Sequence, residues 1–480
     1  MTQAHDILAR RRWLMLAGAS AITALVPTLG WSDDDEDEGD AGSSTSAISP
    51  AATGLTGRMV VVGGGMAGVT AAKYLRLWGG SGLTITLVEP ATTYVSNIMS
   101  NLVLNGSRTV TSLGYTHGKL TTQYGVNIVR ASVTGIDKAN KTLTLSDGVS
   151  LPYDRLVLAP GVEFEDAYGL TQTDYETRTP HAWRAGPQTQ LLRDQLAAMP
   201  SNGTFVMTIP KAPYRCPPGP YERACLVADF LKTTKGSGSK VIVLDENFPT
   251  DAANPYTAIQ AEAHTFTQAF TVTHAGVVDY QPGVTDIRID PATKAVSYTD
   301  RMGVPHTVNP QVVNPIPPHR ASGSSASGWL TQAGLANGAN GKWALVNALS
   351  FESTAAGAAG VHVIGDASQC GLPKAGHVAN QEAKICADAI VRALSGQQPD
   401  PAPVANSACY SPITASTASW LTAVYQYDEV NKKFVVANGD GKGNGGITAG
   451  AKPVESATIS SKNFQQMNTW FNALMGDSFA

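Results

Sequence analysis

The chain carries little charge for its length and no marked excess of one sign. Only 15% of its 480 residues are Asp, Glu, Lys or Arg, and the formal net charge is -4. Nucleic-acid binding needs a basic patch, and a peripheral membrane surface usually has one as well, so the composition indicates neither function. It favours a small substrate or a protein partner, in a chain long enough for about three domains.

The few cysteines form none of the closely spaced motifs of metal or haem sites. Neither C-x-x-C nor C-x-x-C-H occurs, which argues against a zinc site and against a haem attached to this chain. An oxidising compartment would allow one long-range disulfide. The spacing does not say which two cysteines would form it among Cys216, Cys225, Cys370, Cys386 and Cys409.

The apolar stretch near the N-terminus is shorter than the roughly 20 residues that a membrane-spanning helix needs. It covers residues 13 to about 29 and follows the arginines of "ILARRRWLMLAGAS". Arg11-Arg12-Trp-Leu-Met resembles a twin-arginine export signal, and a membrane anchor is the alternative. We predict such a signal over residues 1–31, a periplasmic protein without stable membrane insertion, and an acidic disordered linker over residues 32–57.

A glycine motif lies where a strand is expected to pass into a helix. "RMVVVGGGMAGVTAAKYLRL" contains Gly63-x-Gly65-x-x-Gly68, and the next apolar segment, "LTITLVEP", ends in Glu89. The first glycine suits a tight turn, the second a close approach of backbone to a pyrophosphate, and the third the packing of helix on strand. The phosphate would lie at the helix N-terminus, and Glu89 would accept a hydrogen bond from a ribose hydroxyl. The order of these parts predicts a dinucleotide site.

Two later segments indicate which dinucleotide binds. "LPYDRLVLAPG" ends in Ala159-Pro160-Gly161, and "GVHVIGDAS" contains Gly365-Asp366 at the end of a strand. The pairing resembles two-dinucleotide-binding flavoproteins, in which the aspartate of the second segment reaches the ribityl-phosphate region of the flavin. A buried strand and turn without a ligand is the alternative for "VIGDAS". With the upstream glycine motif, FAD is favoured over NAD.

A second phosphate loop would be expected after the strand near residue 207, but the glycines are missing there. The loop reads "PKAPYRCPPGPYERA", and its prolines remove backbone N–H groups that could hold phosphate. We therefore do not expect nicotinamide binding. The loop presents Cys216 and Glu222 instead, and Cys216 as a structural thiol is the alternative to a thiol that acts on the flavin.

Several segments together resemble the flavoprotein subunit of flavocytochrome c sulfide dehydrogenase, the group that includes the Sox flavoprotein. The resemblance runs from about Arg58 to the C-terminus, and its most specific block is "CPPGPYER". The other segments are "GGGMAGVTAAKYLRL", "TLVEPATTYVSNIMSN", "YDRLVLAPG", "PHAWRAGPQTQLLRDQL", "IPPHRA", "VHVIGDAS", "PKAGHVANQEAK", "ACYSPITA" and "TWFNALMGDSFA".

The resemblance implies a redox disulfide between Cys216 and Cys409 beside the flavin ring. Sulfide would attack the disulfide, electrons would pass to FAD, and Glu222 would occupy the acid/base position. Arg215 and Arg223 flank the loop and are expected to lower the pKa of a thiol there. Cys370 is the alternative partner of Cys216.

The resemblance also defines the cofactor contacts and shows one departure. Lys374 and Gly376, in "PKAGHVANQEAK", join the expected contacts. Members with covalently attached flavin have a cysteine shortly after the "EP" strand, where this chain has Asn97. FAD is therefore expected to be bound non-covalently.

The predicted architecture is α/β, a two-dinucleotide-binding flavoprotein with two Rossmann-like layers, similar to disulfide reductases, and a small C-terminal α+β domain. Its parts are expected at 58–169 and 306–398 for FAD binding, at 170–305 for a second nucleotide-binding-like domain without an NAD site, and at 399–480 for the C-terminal domain.

The resemblance implies a sulfide dehydrogenase flavoprotein that forms a heterodimer with a c-type cytochrome subunit. A sulfide:quinone reductase-like enzyme, or a flavoprotein that binds or repairs a sulfur-carrying partner, is the alternative. No metal site is expected.

Overall fold

A computed structural model of the chain describes residues 49–236, 238–437 and 451–480. The predicted export signal at 1–31 and most of the predicted linker at 32–57 lie outside these residues, so both stay predictions.

The first sheet is built from five parallel strands that are almost entirely apolar. Parallel strands are covered by helices on both faces, which is why runs such as "MVVV" and "ITLV" contain so few polar residues. In spatial order the strands are Val361–Val363, Arg155–Leu158, Gly57–Val62, Leu83–Val88 and Asn127–Val129.

Two long helices pack against each other beside this sheet. The fingerprint helix, Met66–Gly79, follows the strand Gly57–Val62 and is buried along nearly its whole length. The carboxyl-side helix, Gly376–Leu394, packs along it. Small residues such as Ala71, Ala72 and Ala383 are fully buried between such elements and allow the close approach.

The second sheet is also parallel and contains the strand that precedes the proline-rich loop. Its spatial order is Val278–Pro282, Lys240–Asp245, Thr204–Ile209 and Val312–Pro315. The cysteine-loop helix, Gly219–Thr234, begins directly after the loop, with Pro220 in its first turn, where a missing N–H costs no helical hydrogen bond. Its buried face joins one core cluster with Phe205 and Met207 of the sheet.

The C-terminal part combines an antiparallel sheet with one helix. Strands Val404–Pro412, Ala418–Asp428 and Lys433–Val436 pair in sequence order, and Val454–Glu455 pairs with the second of them. The terminal helix, Ser461–Phe479, begins where the Ser460 side chain accepts a hydrogen bond from the N–H of Asn463. It contacts both the sheet and the fingerprint helix.

Shorter elements connect these units. The remaining strands are Thr93–Val95 with Gly114–Thr116; Val133–Asp137, Thr142–Leu145 and Ser150–Pro152; Val162–Phe164 with His319–Ala321; Thr285–Ile289, Val296–Thr299 and Pro305–Val308; and Ala344–Leu345 with Ser368–Gln369. The remaining helices are Asn101–Leu104, Gly118–Thr122, Gln172–Thr177, Pro187–Ala198, Ala263–Gln268 and Trp329–Gln332, with single helical turns at Thr111–Leu113, Pro255–Ala258, Ala339–Gly341 and Gly365–Ala367 and a π-turn at Ala269–Thr273.

The predicted α/β fold with two parallel layers and a C-terminal α+β unit is confirmed. The boundaries predicted for the individual domains stay predictions. Within the described ranges, no helix has both the length and the apolar character needed to cross a membrane.

Candidate active site

A cavity of about 1230 Å³ opens at the carboxyl ends of the first sheet. Residues that follow each of its five strands line the cavity, and ligands of open parallel sheets bind at this edge. The proline-rich loop that contains Cys216 and the C-terminal sheet form the rest of the cavity wall. The glycine motif and two cysteines, Cys216 and Cys409, therefore line the same cavity.

The glycine motif has the geometry that its sequence predicts. Gly63 has a φ of 101°, and a Cβ there would lie 2.2 Å from the carbonyl oxygen of Ala159. A Cβ on Gly68 would lie 1.8 Å from the carbonyl oxygen of Gly63, so the close packing of helix on strand depends on glycine. At Gly65, by contrast, the nearest atom would be 3.6 Å away, on the ring of Tyr94. A side chain at Gly65 would thus make only an ordinary contact, and the residue lines the cavity at the start of the fingerprint helix, where an anion is favoured.

Glu89 lines the cavity at the end of its strand, and its carboxylate is held by backbone groups. One oxygen accepts from the N–H of Gly64 at 2.6 Å, and the other accepts from the N–H of Ala91 at 2.7 Å. Each carboxylate oxygen has a second lone pair that can accept from a ribose hydroxyl. His117 supports the same turn, with its Nε2 2.8 Å from the carbonyl oxygen of Gly64.

Asp366 carries an unsatisfied acceptor beside the cavity. Its Oδ1 is buried and has no hydrogen-bond partner among the described residues. Its Oδ2 lies 4.0 Å from the guanidinium of Arg215, and burial raises the pKa of the carboxyl while Arg215 and Lys374 oppose the rise. A buried orphan acceptor calls for a polar partner. Together with the glycine turn that lines the same cavity, it fits a bound dinucleotide.

Cys216 occupies a strained position at the tip of the proline-rich loop. Its φ is 60°, which is uncommon for a residue other than glycine and costs energy that is often stored at functional sites. The backbone is held by a 2.7 Å hydrogen bond from its N–H to the carbonyl oxygen of Lys374. A Cβ on Gly219 would lie 2.8 Å from the Cys216 sulfur, so this glycine makes room for the thiol.

The net effect of the surroundings on the Cys216 thiol differs from the prediction. Burial raises the pKa of the Cys216 thiol to about 12, and Glu222 raises it as well, whereas Arg215 lowers it. Arg223 is engaged elsewhere, donating to Asn101, to Asn314 and to backbone carbonyls. Its charge nevertheless interacts favourably with the Cys216 thiolate, so both arginines act in the expected direction, but burial outweighs them.

Glu222 lies in the first turn of the cysteine-loop helix and lines the cavity. Its Oε1 accepts a 2.8 Å hydrogen bond from the side-chain amide of Asn101. Burial raises the pKa of Glu222 to about 8, and Asn101 and Arg223 oppose this rise. A carboxyl group with a pKa near the working pH is suited to acid–base work.

Cys409 reaches the same cavity from the strand Val404–Pro412, 193 residues after Cys216 in the sequence. Burial raises the pKa of its thiol well above the ordinary value, and Cys216 is the next cause, which indicates that the two sulfur atoms are near each other. All five cysteines are free thiols in this structure. The predicted Cys216–Cys409 disulfide thus stays a prediction, although both residues line one cavity.

Cys370 has different surroundings. Its sulfur lies 3.6 Å from the Ser368 hydroxyl and 3.5 Å from Glu382 Oε1, in a buried cluster behind the Gly365–Asp366 turn. Glu382 also accepts from the N–H of Gly365 at 2.6 Å. Cys370 does not line the cavity in the described part of the chain.

The other predicted contacts divide into two groups. Those that line the cavity are Asn97, Ala159, Pro160, Gly161, Gly365 and Gly376. Lys374 is different because its ammonium donates to the carbonyl oxygens of Asp366 and Ser368 and lies 3.8 Å from the ring centre of Trp343. Its position supports the Asp366 turn, and its direct contact with a cofactor stays a prediction.

The cavity also has charged side chains that were not predicted, among them Arg184 and Glu262. Arg184 donates to the carbonyl oxygen of Val162 at 2.6 Å, and its guanidinium lies 5.6 Å from the ring centre of Phe164. Glu262 is 2% exposed and reaches the cavity next to the C-terminal sheet. Arg184 lies in "PHAWRAGPQ", which carries no motif of its own, and no pattern surrounds Glu262 in "IQAEAH".

Comparison with known proteins defines first the class and then the family. Residues 57–191 match the family model of pyridine nucleotide-disulphide oxidoreductases. The fold and this match define a flavoprotein oxidoreductase, and a flavin cofactor is implied. Residues 189–317 match the family model of the sulfide dehydrogenase [flavocytochrome c] flavoprotein chain, central region.

One curated relative supports the same family. The sulfide dehydrogenase [flavocytochrome c] flavoprotein chain of Chlorobaculum thiosulfatiphilum is 52% identical over 48 residues, which are 10% of this chain and 98% of the relative. The chain belongs to the family of these flavoprotein chains.

Solved structures share the fold at low sequence identity. The sulfide:quinone oxidoreductase of Aquifex aeolicus superposes with a TM-score of 0.68 at 18% identity, covering 88% of this chain and 91% of that one. A chain of the covalent putidaredoxin reductase–putidaredoxin complex gives 0.57 at 16% identity, covering 87% and 94%. These likenesses concern the fold alone.

Proposed function

We propose that the protein is the FAD-dependent flavoprotein of a periplasmic sulfide dehydrogenase. It oxidises sulfide to sulfur or polysulfide and passes the electrons to a c-type cytochrome subunit. The observation that carries the proposal is that Cys216 and Cys409, far apart in the sequence, line one cavity with the glycine motif and Asp366. A thiol pair beside a dinucleotide site is the arrangement that sulfide chemistry on a flavin requires.

The reaction begins with the cysteines joined as a disulfide. HS⁻ attacks one sulfur atom, the S–S bond breaks, one cysteine carries a persulfide, and the other leaves as a thiolate. FAD, when bound, accepts the electron pair that sulfide gives up. Arg215, which lowers the pKa of Cys216, stabilises a thiolate there against the effect of burial.

Glu222 serves the proton transfers of this sequence. With a pKa of about 8 it is largely protonated at neutral pH and can donate to a departing thiolate. After donation, the carboxylate keeps its hydrogen bond from Asn101 and faces the buried charge of Arg223, which stabilises its charged form.

The residues that would hold FAD are those of the glycine turn and the two later segments. The turn at Gly63 and Gly65 suits the pyrophosphate, Glu89 a ribose hydroxyl, and Asp366 the ribityl-phosphate region. Asn97 stands where related chains have the flavin-linking cysteine, and its side chain accepts from the N–H of Ala185 at 2.8 Å. An amide cannot form the thioether, so we propose non-covalent binding.

The second parallel sheet does not serve NAD. The loop that follows Thr204–Ile209 contains Pro213, Pro217 and Pro218, which donate no backbone hydrogen bond, and the N–H of Cys216 is already bound to a carbonyl oxygen. Electrons therefore enter from sulfide and not from a nicotinamide.

An anaerobic titration of the purified protein with sulfide tests the proposal. We expect sulfide to bleach the flavin absorbance with saturation at about one equivalent of the two-electron donor per flavin, in the absence of NADH. A c-type cytochrome added afterwards should restore the oxidised spectrum, whereas restoration by a quinone alone would favour a quinone reductase. A flavin that stays oxidised in excess sulfide would contradict the proposed function.

A further inference from the structure

Glu262 is a buried carboxyl group that the chemistry above does not use. It lines the cavity, and its Oε1 has no hydrogen-bond partner among the residues that the structure describes. Its backbone is left-handed, with a φ of 53°, at the residue before the helix Ala263–Gln268. A strained residue with an unpartnered buried acceptor is costly, and such costs are often kept at functional sites.

The carboxyl group of Glu262 is held next to the strand that carries Cys409. Its Oε2 accepts a 2.5 Å hydrogen bond from the Ser411 hydroxyl. Ser411 and Cys409 are two residues apart on one strand, so their side chains share a face about 7 Å apart along the strand. The negative charge of Glu262 also raises the pKa of the Cys409 thiol, so the carboxylate and the sulfur interact electrostatically.

A second carboxyl group, that of Glu455, lines the same cavity and is near enough to act on Glu262 through its charge. Glu455 is half-buried, lines the cavity, and accepts from the N–H of Thr265 at 3.1 Å. It also raises the pKa of Glu262 through its charge. Both groups line the same cavity, and Glu455 is the more exposed of the two.

We propose that Glu262 is a second proton carrier of the cavity, which takes the proton from the sulfur held at Cys409 and passes it by way of Glu455 to solvent. In this step an S–H bond on the Cys409 side breaks, an O–H bond forms on Glu262, and no electron is exchanged. Glu222 is the corresponding acid–base group for the sulfur at Cys216, where it donates a proton to the departing thiolate. The inference rests on the proposed function and assigns one acid to each of the two cysteines.

The groups that face Glu262 set its proton affinity. Its pKa is raised to about 8, mainly by burial and also by the charges of Glu455 and Glu222, while the hydroxyl groups of Ser411 and Ser419 oppose the rise. Cys225 faces it from the cysteine-loop helix, and Cys409 from the C-terminal sheet. Glu262 is therefore able to exchange a proton in the pH range in which sulfide is partly ionised.

The test uses the FAD-loaded full chain with Glu262→Gln, which keeps the length of the side chain and an oxygen for Ser411. The matched control is Glu246→Gln, a half-buried carboxyl outside the cavity that accepts from the Tyr168 hydroxyl. We expect flavin reduction by sulfide at pH 8 to slow by about 10- to 100-fold in Glu262→Gln and to stay unchanged in the control.

A second readout does not depend on sulfide. In the reduced protein, the pH dependence of Cys409 alkylation, followed by peptide mass mapping, should move to lower pH in Glu262→Gln because a neighbouring negative charge is removed. Alkylation of Cys409 in Glu246→Gln should follow the wild-type curve. An unchanged alkylation curve in Glu262→Gln, or a normal rate of flavin reduction, would overturn the inference.

Ser411→Ala provides a variant that keeps the carboxyl group. Loss of the hydroxyl raises the pKa of Glu262, so the pH dependence of flavin reduction should move to higher pH; no movement would overturn the inference. If wild-type flavin does not respond to sulfide, the proposed function fails, and the alkylation curves alone then decide whether Glu262 controls the proton at Cys409.

Discussion

Replacing Glu222 by Gln should remove a pH-dependent loss of stability. The folded-state pKa of this carboxyl is about 8, above its ordinary value of 4.5. The folded protein thus keeps a proton that the unfolded chain loses as pH rises between these values. The group's contribution is fully present below about pH 4.5 and is lost as pH rises to about 8.

The expected size follows from the same values. Between about pH 5 and pH 8 the contribution falls by about 1.4 kcal/mol per pH unit, which gives up to about 4 kcal/mol in total. A glutamine keeps the oxygen that accepts from Asn101 and has no proton to lose. Wild type should therefore lose stability relative to Glu222→Gln as the pH rises through this range.

Urea unfolding of the FAD-loaded protein at pH 5, 6, 7 and 8 measures this difference. Glu176→Gln is the control, because Glu176 is exposed on the helix Gln172–Thr177. Its stability should follow that of wild type at each pH. If the curves of wild type and Glu222→Gln run parallel over the whole range, Glu222 is not a protonated buried acid and the proton role given to it is wrong.

Three further outcomes are expected. Gly68→Ala should lose most of its FAD, measured as the ratio of flavin to protein absorbance, because the new Cβ would lie 1.8 Å from the carbonyl oxygen of Gly63; Gly476→Ala, with no atom within 4 Å, should keep it. Equal FAD in both would contradict the geometry. Acid precipitation of the wild type should release all flavin into the supernatant, and flavin retained in the pellet would show a covalent link. NADH and NADPH should bleach the flavin no faster than buffer, and rapid saturable bleaching would indicate a working nicotinamide site.

The conformation of the glycine turn could be predicted from local sequence because the turn is formed within one short segment. Gly63, Gly65 and Gly68 are within six residues, and their roles follow from backbone geometry that only glycine permits. The parallel strands could also be predicted from the sequence, because burial on both faces requires continuous apolar runs. Pattern and structure agree wherever one short segment determines its own conformation.

The thiol pair and the second acid could not be derived in this way. Only the fold brings Cys216 and Cys409 to one cavity. Their spacing in the sequence therefore left the pairing open, and the family resemblance suggested it. Glu262 is exceptional through its burial and its left-handed backbone, neither of which a single glutamate in "IQAEAH" reveals. The net rise of the Cys216 pKa could not be read from the loop either, because the burial that outweighs the neighbouring arginines depends on distant segments.

The central claim is that Cys216 and Cys409 form the redox pair through which sulfide reduces the flavin. Stopped-flow reduction of the FAD-loaded protein by sulfide, without oxygen, tests it in Cys409→Ser, with Cys386→Ala as a control at a buried thiol outside the cavity. We expect Cys409→Ser to fold and bind FAD but to be reduced more slowly by orders of magnitude, while the control keeps the wild-type rate. A Cys409→Ser protein that sulfide reduces at the normal rate, with Cys370→Ser inactive instead, would contradict it.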